Sequence, residues 1–226
     1  MITALLPLTL LGALLGLDTV SFPQAMLSRP LVAATLGGAL LGSPFGGLMI
    51  GAALELIALE TLPFGASRYP EWGSASVVGG ALFASSATPQ PGAMTLALLA
   101  SLATAWVGGW TMVKVRQQNA KWATRSRSGL DAGARGTVIG LQLKGLTADL
   151  VRGALLTAAA VATFAPLTVA SVALWSVDAR VSRAITVGVA TSVAVGAAWK
   201  LFHSSLTARW LFFAGLGLGF TVMVLR

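Results

Sequence analysis

Residues 47–76 read GLMIGAALELIALETLPFGASRYPEWGSAS. The stretch starts as an apolar, glycine-punctuated helix of the membrane type, yet it holds Glu55, Glu60, Arg68 and Glu71. Such a charge density is ordinary in a soluble protein. Here it is the exception, because only 10% of the 226 residues are charged and 56% are hydrophobic, whereas an average soluble domain is about 25% charged. Mean hydropathy is +0.82. A soluble fold of this length cannot hide so much apolar surface, so the chain reads as an all-α integral membrane protein, a multi-span helical bundle of about six to eight spans. The 26 glycines agree, since Gly lets membrane helices approach closely.

The same numbers exclude several function classes. With no cysteine there is no disulfide, thiolate metal site or cysteine nucleophile. A single histidine, His203, rules out any mechanism needing two, and no cofactor, metal site or catalytic residue is expected. The net charge of +8 is assigned to topology rather than to nucleic acid, because cytoplasmic loops collect Lys and Arg. The N-terminal MITALLPLTLLGALLGLD lacks a basic leader and is expected to stay as a membrane segment.

Charge-free windows run over 1–17, 30–54, 72–113, 153–177, 184–199 and 210–225. A span needs about 20 apolar residues. The 72–113 window is long enough for two, divided at Thr88-Pro89-Gln90-Pro91-Gly92, where no helix continues. The chain is expected to be one membrane domain over 1–226 in three parts: a polar-motif membrane region (1–113), a cytoplasmic basic segment (114–152) and a C-terminal membrane region (153–226). The middle part carries Lys114, Arg116, Lys121, Arg125, Arg127, Arg135, Lys144 and Arg152 against Asp131 and Asp149, the positive-inside signal. Residues 126–136 read as a loop. Residues 137–150 read as an amphipathic helix at the membrane surface or as a solvated loop. In the first half, Pro23, Pro30, Pro44, Pro63 and Pro70 crowd among glycines. That pattern predicts broken or re-entrant helices, which are tolerated at membrane depth only inside protein or along a polar cavity.

The charges of the first half are the candidate site. Glu55 lies between two apolar runs, where a buried carboxylate costs about 2.5–3.5 kcal/mol on insertion scales. It is either a polar-substrate or ion site or a packing carboxylate satisfied by neighbouring donors. Glu60 follows five residues on, a helical rotation of about 500°, so the two do not form an acid/base pair. Arg68, Tyr69, Pro70, Glu71 and Trp72 combine hydrogen-bonding groups with an aromatic face. They suit a sugar site, or equally an interfacial belt with Arg68 pairing Glu71. Asp18, Gln24 and Arg29 form a second polar group, in LDTVSFPQAMLSRPL, which is part of a site or a short solvated loop.

The runs SRPLVAATLGGALLG, GGLMIGAALELIAL and PFGASRYPEWGSAS resemble the IIC membrane component of the mannose–fructose–sorbose class of bacterial sugar phosphotransferase systems. The likeness is densest over residues 18–80. It departs from the family pattern in three places: Pro70-Glu71 stands where Pro-Asp is usual, Gly42-Ser43 where Gly-Asp is usual, and Glu60 where a small residue is common. The resemblance implies a sugar-translocating subunit of a bacterial inner membrane, in contact with lipid and paired with a IID membrane subunit, as a trimer of such pairs. It also implies cytoplasmic IIA and IIB proteins that carry the phosphate. Carried over, Gln24, Arg29, Glu55 and Glu71 are the residues expected on the sugar path, with Asp18 and Arg68 beside it. Two other readings stand next to this one: an ion-coupled secondary transporter using Glu55, and a membrane scaffold or regulatory subunit that transports nothing.

Overall fold

The computed structural model describes residues 2–59, 61, 67–86, 92–174, 177–203 and 205–224. Among these, all regular structure is helical: a 3₁₀ turn over Ile2–Ala4, then α1 (Leu5–Asp18), α2 (Pro30–Ala39), α3 (Pro44–Ala58), α4 (Trp72–Ala84), α5 (Ala93–Arg125), α6 (Arg127–Asp131), α7 (Arg135–Leu174), α8 (Ala179–Phe202) and α9 (Leu206–Val224).

The helices fall into two size classes, and the difference positions the site. α1 to α4 have 14, 10, 15 and 13 residues. At 1.5 Å per residue they reach about 15–23 Å, short of a hydrocarbon core of about 30 Å. None of the four is long enough to span on its own, in keeping with the broken helices that the proline and glycine crowding predicts. α5 and α7 have 33 and 40 residues, about 50 and 60 Å, well beyond one bilayer. Their surplus length is the basic region: the C-terminal part of α5 and the N-terminal part of α7 lie antiparallel, joined by α6. Residues 137–150 are thus the opening turns of a continuous helix, not a separate surface helix, and the stretch read as a loop contains the short α6. The windows of α5, α7 and α8 are long and apolar enough to cross a membrane.

Proline starts both halves of the α2–α3 hairpin, with Pro30 and Pro44 at the first helical positions, where the missing N–H costs nothing. Gly42 makes the tip between them with φ +79°, a conformation that suits glycine. Ser43 N–H then closes back on the Gly38 carbonyl at 3.0 Å. Small residues allow the hairpin to seat on α4. A Cβ at Gly80 would land on the Ala34 carbonyl, and one at Gly37 would lie 2.6 Å from the Val77 carbonyl oxygen. The core of Leu8, Leu15, Ala34, Ile50, Leu54, Val77, Val78, Leu82, Met94 and Val161 sits where α1, the hairpin, α4, α5 and α7 meet. α8 touches the edge of this core through Val189, Ala190 and Val193, and α9 packs on α8. Trp199, Leu206, Trp210, Leu211, Phe213 and Leu218 are exposed on the chain itself, an apolar surface suited to lipid or another membrane subunit.

Candidate functional site

The C-terminal ends of α1 and α3 and the N-terminal ends of α2 and α4 converge on one region. Broken-helix ends meeting in this way are how transporter folds bring backbone groups and side chains to a polar substrate. A cavity of about 410 Å³ opens there, lined by residues that include Asp18, Thr19, Gln24, Ser28, Arg29, Thr61, Tyr69 and Trp72. That volume is in the range of small-molecule sites.

Asp18 organises the loop on one side. A carboxylate at a helix C-terminus is unfavourable against the dipole, and Asp18 is buried. It is compensated by two backbone donors, Ala25 N–H at 2.7 Å and Ser28 N–H at 2.8 Å. These bonds curl residues 19–29 over the carboxylate, and Gln24 and Met26 take φ values of 60° and 61°. Left-handed conformations at non-glycine residues are sustained only where the surroundings fix them, commonly at functional sites. The Gln24 side chain folds back, its Nε2 donating to the Val20 carbonyl at 2.7 Å.

On the other side, Arg29 and Glu55 form an ion pair. Glu55 Oε2 also accepts from Leu31 N–H at 3.2 Å, which sets the carboxylate at the N-terminus of α2, where the dipole favours it. The side chains are 35% and 19% exposed; Arg29 lines the cavity, and Glu55, outside the lining, connects to it through Arg29. Trp72 Nε1 donates to Thr61 Oγ1 at 2.9 Å, and the Tyr69 hydroxyl bonds to Arg116. The cavity therefore offers amide, guanidinium and hydroxyl groups beside two aromatic side chains.

The other two candidate residues lie elsewhere. Glu71 is fully buried behind the cavity. It caps α4, with Oε1 accepting from Ser74 N–H at 3.1 Å, and Oε2 faces Arg152 Nη1 at 3.9 Å. Arg152 also binds Asp149 at 2.7 Å and the Gly16 carbonyl at 3.3 Å, and Asp149 accepts from Ser21 Oγ. Arg68 is exposed, 4.8 Å above the Trp106 ring, with Nη2 donating to the Trp106 carbonyl at 3.4 Å. The Arg68–Glu71 pair weighed from the sequence does not form, because Arg152 takes the position opposite Glu71. Glu60 lies outside the described residues. Among the described residues no group of three or more His, Asp or Glu is placed to hold a metal.

Comparison with known proteins decides the family. The family model EII-Sor, "PTS system sorbose-specific iic component", matches residues 1–225. This chain belongs to the EII-Sor family. No curated protein matches it. Two solved structures share its fold at 20% sequence identity. One is described as "Structure of membrane protein", with a TM-score of 0.68, and the other as "CryoEM Structure of Mannose Transporter ManYZ and Microcin E492 (MceA) complex", with a TM-score of 0.62. Each alignment covers 100% of this chain and 94% of the other.

In this EII-Sor chain the motif elements quoted above fall at the ends of the broken helices. Ser28-Arg29-Pro30 opens α2, Leu54-Glu55 lies in the last turns of α3, and Glu71 caps α4. Sequence reasoning did not single out Arg152, Asp149 or Arg116 as parts of this region. The available signal was positional: Arg152 is the last charge before the 153–177 window and stands three residues after Asp149.

Proposed function

We propose that this chain is the sugar-translocating IIC subunit of a phosphoenolpyruvate-dependent phosphotransferase system of the mannose–fructose–sorbose class. It works in a bacterial inner membrane, with its basic end in the cytoplasm, and handles a sugar of the hexose class. A IID membrane subunit completes the translocator, in a trimer of IIC–IID pairs, and cytoplasmic IIA and IIB proteins supply the phosphoryl group. The observation that carries the reading is the cavity at the meeting point of four half-length helices, where Gln24, Arg29 and Ser28 stand beside Trp72 and Tyr69. Sugars need directional hydrogen bonds for their hydroxyls and an apolar platform for the ring face, and this lining has both. Phosphoryl transfer is assigned to the partners, since His203 sits in the C-cap of α8 with Nδ1 2.7 Å from the Lys200 carbonyl and does not line the cavity.

An ion-coupled carrier built on Glu55 fits less well, because Arg29 already balances that carboxylate. The test is uptake of labelled sugar by cells carrying the full system. Gln24→Ala and Glu55→Gln should each reduce uptake at least tenfold with normal amounts of protein in the membrane. Wild-type uptake by both variants would remove the cavity from the sugar path.

A further inference from the structure

A second cavity, of about 470 Å³, lies on the basic-end side of the first. Its walls are α5 from Met112 to Ala123 and α7 from Leu141 to Asp149, and Val20 and Ser21 close it. The two cavities share Val20. Between them stands a polar contact: Tyr69, which lines the first, hydrogen-bonds Arg116, which lines the second. Arg116 is held further by the Ser67 carbonyl, which accepts from Nη1 at 3.0 Å, and its guanidinium lies 4.9 Å over the Tyr69 ring.

The lining is mixed: apolar side chains from Val20, Met112, Val115, Leu141 and Leu146 alternate with polar ones. Ser21, Arg116, Asn119, Gln142 and Asp149 supply polar side chains, and Trp122 supplies an aromatic one. Asn119 Oδ1 is buried without a hydrogen-bond partner, and a buried acceptor in that state calls for a donor. The lining carries one cation, Arg116, and one anion, Asp149, so it has no net charge and suits a neutral polyhydroxyl molecule rather than a phosphate ester. We infer that this cavity is a second sugar subsite, which holds the unphosphorylated hexose after it leaves the first cavity, with the Tyr69–Arg116 pair as the partition. The inference rests on the sugar-translocating reading above.

Fluorine NMR of fluorotryptophan-labelled full-length chain, purified with its associated membrane subunit in lipid nanodiscs, separates the two. Trp72 reports on the first cavity and Trp122 on the second, assigned through Trp72→Phe and Trp122→Phe. On titration with mannose, fructose or sorbose, both resonances should shift saturably. In the doubly substituted Asn119→Leu, Gln142→Leu chain the Trp122 shift should vanish and the Trp72 shift remain. A sugar-dependent shift at Trp72 with none at Trp122, or a Trp122 shift unchanged by the double substitution, overturns the second subsite and leaves the translocation reading standing. No shift at either tryptophan overturns both.

Discussion

Arg152 holds together three parts of the chain that are distant in sequence: the α1 backbone through Gly16, the α4 cap through Glu71, and its own helix through Asp149. It is 7% exposed and faces two buried carboxylates. Removing one partner of a buried ion pair costs about 3–5 kcal/mol because the remaining charge loses its compensation. Arg152→Met should therefore lower the thermal stability of the purified protein sharply, whereas Arg68→Ala, at an exposed cation–π contact, should change it by about 0.5 kcal/mol or less. A melting curve of each variant checks both. The sequence made some of this scale legible. Glu55 stood out because a charge amid apolar residues needs a partner, and its partner is Arg29. The Arg152 cluster did not stand out, since its contacts join positions up to 136 residues apart and no local pattern encodes them.

At the scale of elements, most boundaries were visible as breaks in charge or as turn residues. α4 and α5 fall on either side of the Pro-rich break in the 72–113 window, and α5 and α7 carry the basic region. The packing of the α2–α3 hairpin on α4 was less legible, because glycine at a helix crossing looks the same in sequence as glycine in a loop or an open face. The structure separates the two roles. A side chain at Gly80 meets the Ala34 backbone, whereas nothing lies within 4 Å of a Cβ at Gly140 in α7. Gly80→Val should abolish accumulation of folded protein in the membrane. Gly140→Ala should stabilise the chain by about 0.5–1 kcal/mol, the usual helix-propensity gain. Quantifying membrane-inserted protein and its melting temperature tests the pair.

Across the whole molecule, basic charge is concentrated over residues 114–152, beside exposed apolar side chains such as Val138, Ile139 and Leu143. The basic ends of α5 and α7 lie at one pole, the two cavities lie toward it, and α8 and α9 present apolar side chains outward. Only 6% of the apolar window of α8 is buried within the chain, a face that lipid or a second membrane subunit must cover. If the basic pole is cytoplasmic, a membrane-impermeant amine reagent should label Lys121 and Lys144 in inverted vesicles and leave them unlabelled in right-side-out ones. Composition made this polarity readable, but not the convergence of four helix ends on one cavity, which depends on how the short helices cross. If this cavity holds the sugar, a thiol in its wall is shielded when sugar is bound. The chain has no cysteine, so Ser28→Cys places a single thiol in the cavity wall. The rate at which a small thiol reagent modifies it, in membranes of a strain with intact uptake, should fall severalfold when the transported sugar is present. An equal rate with and without that sugar would contradict the account.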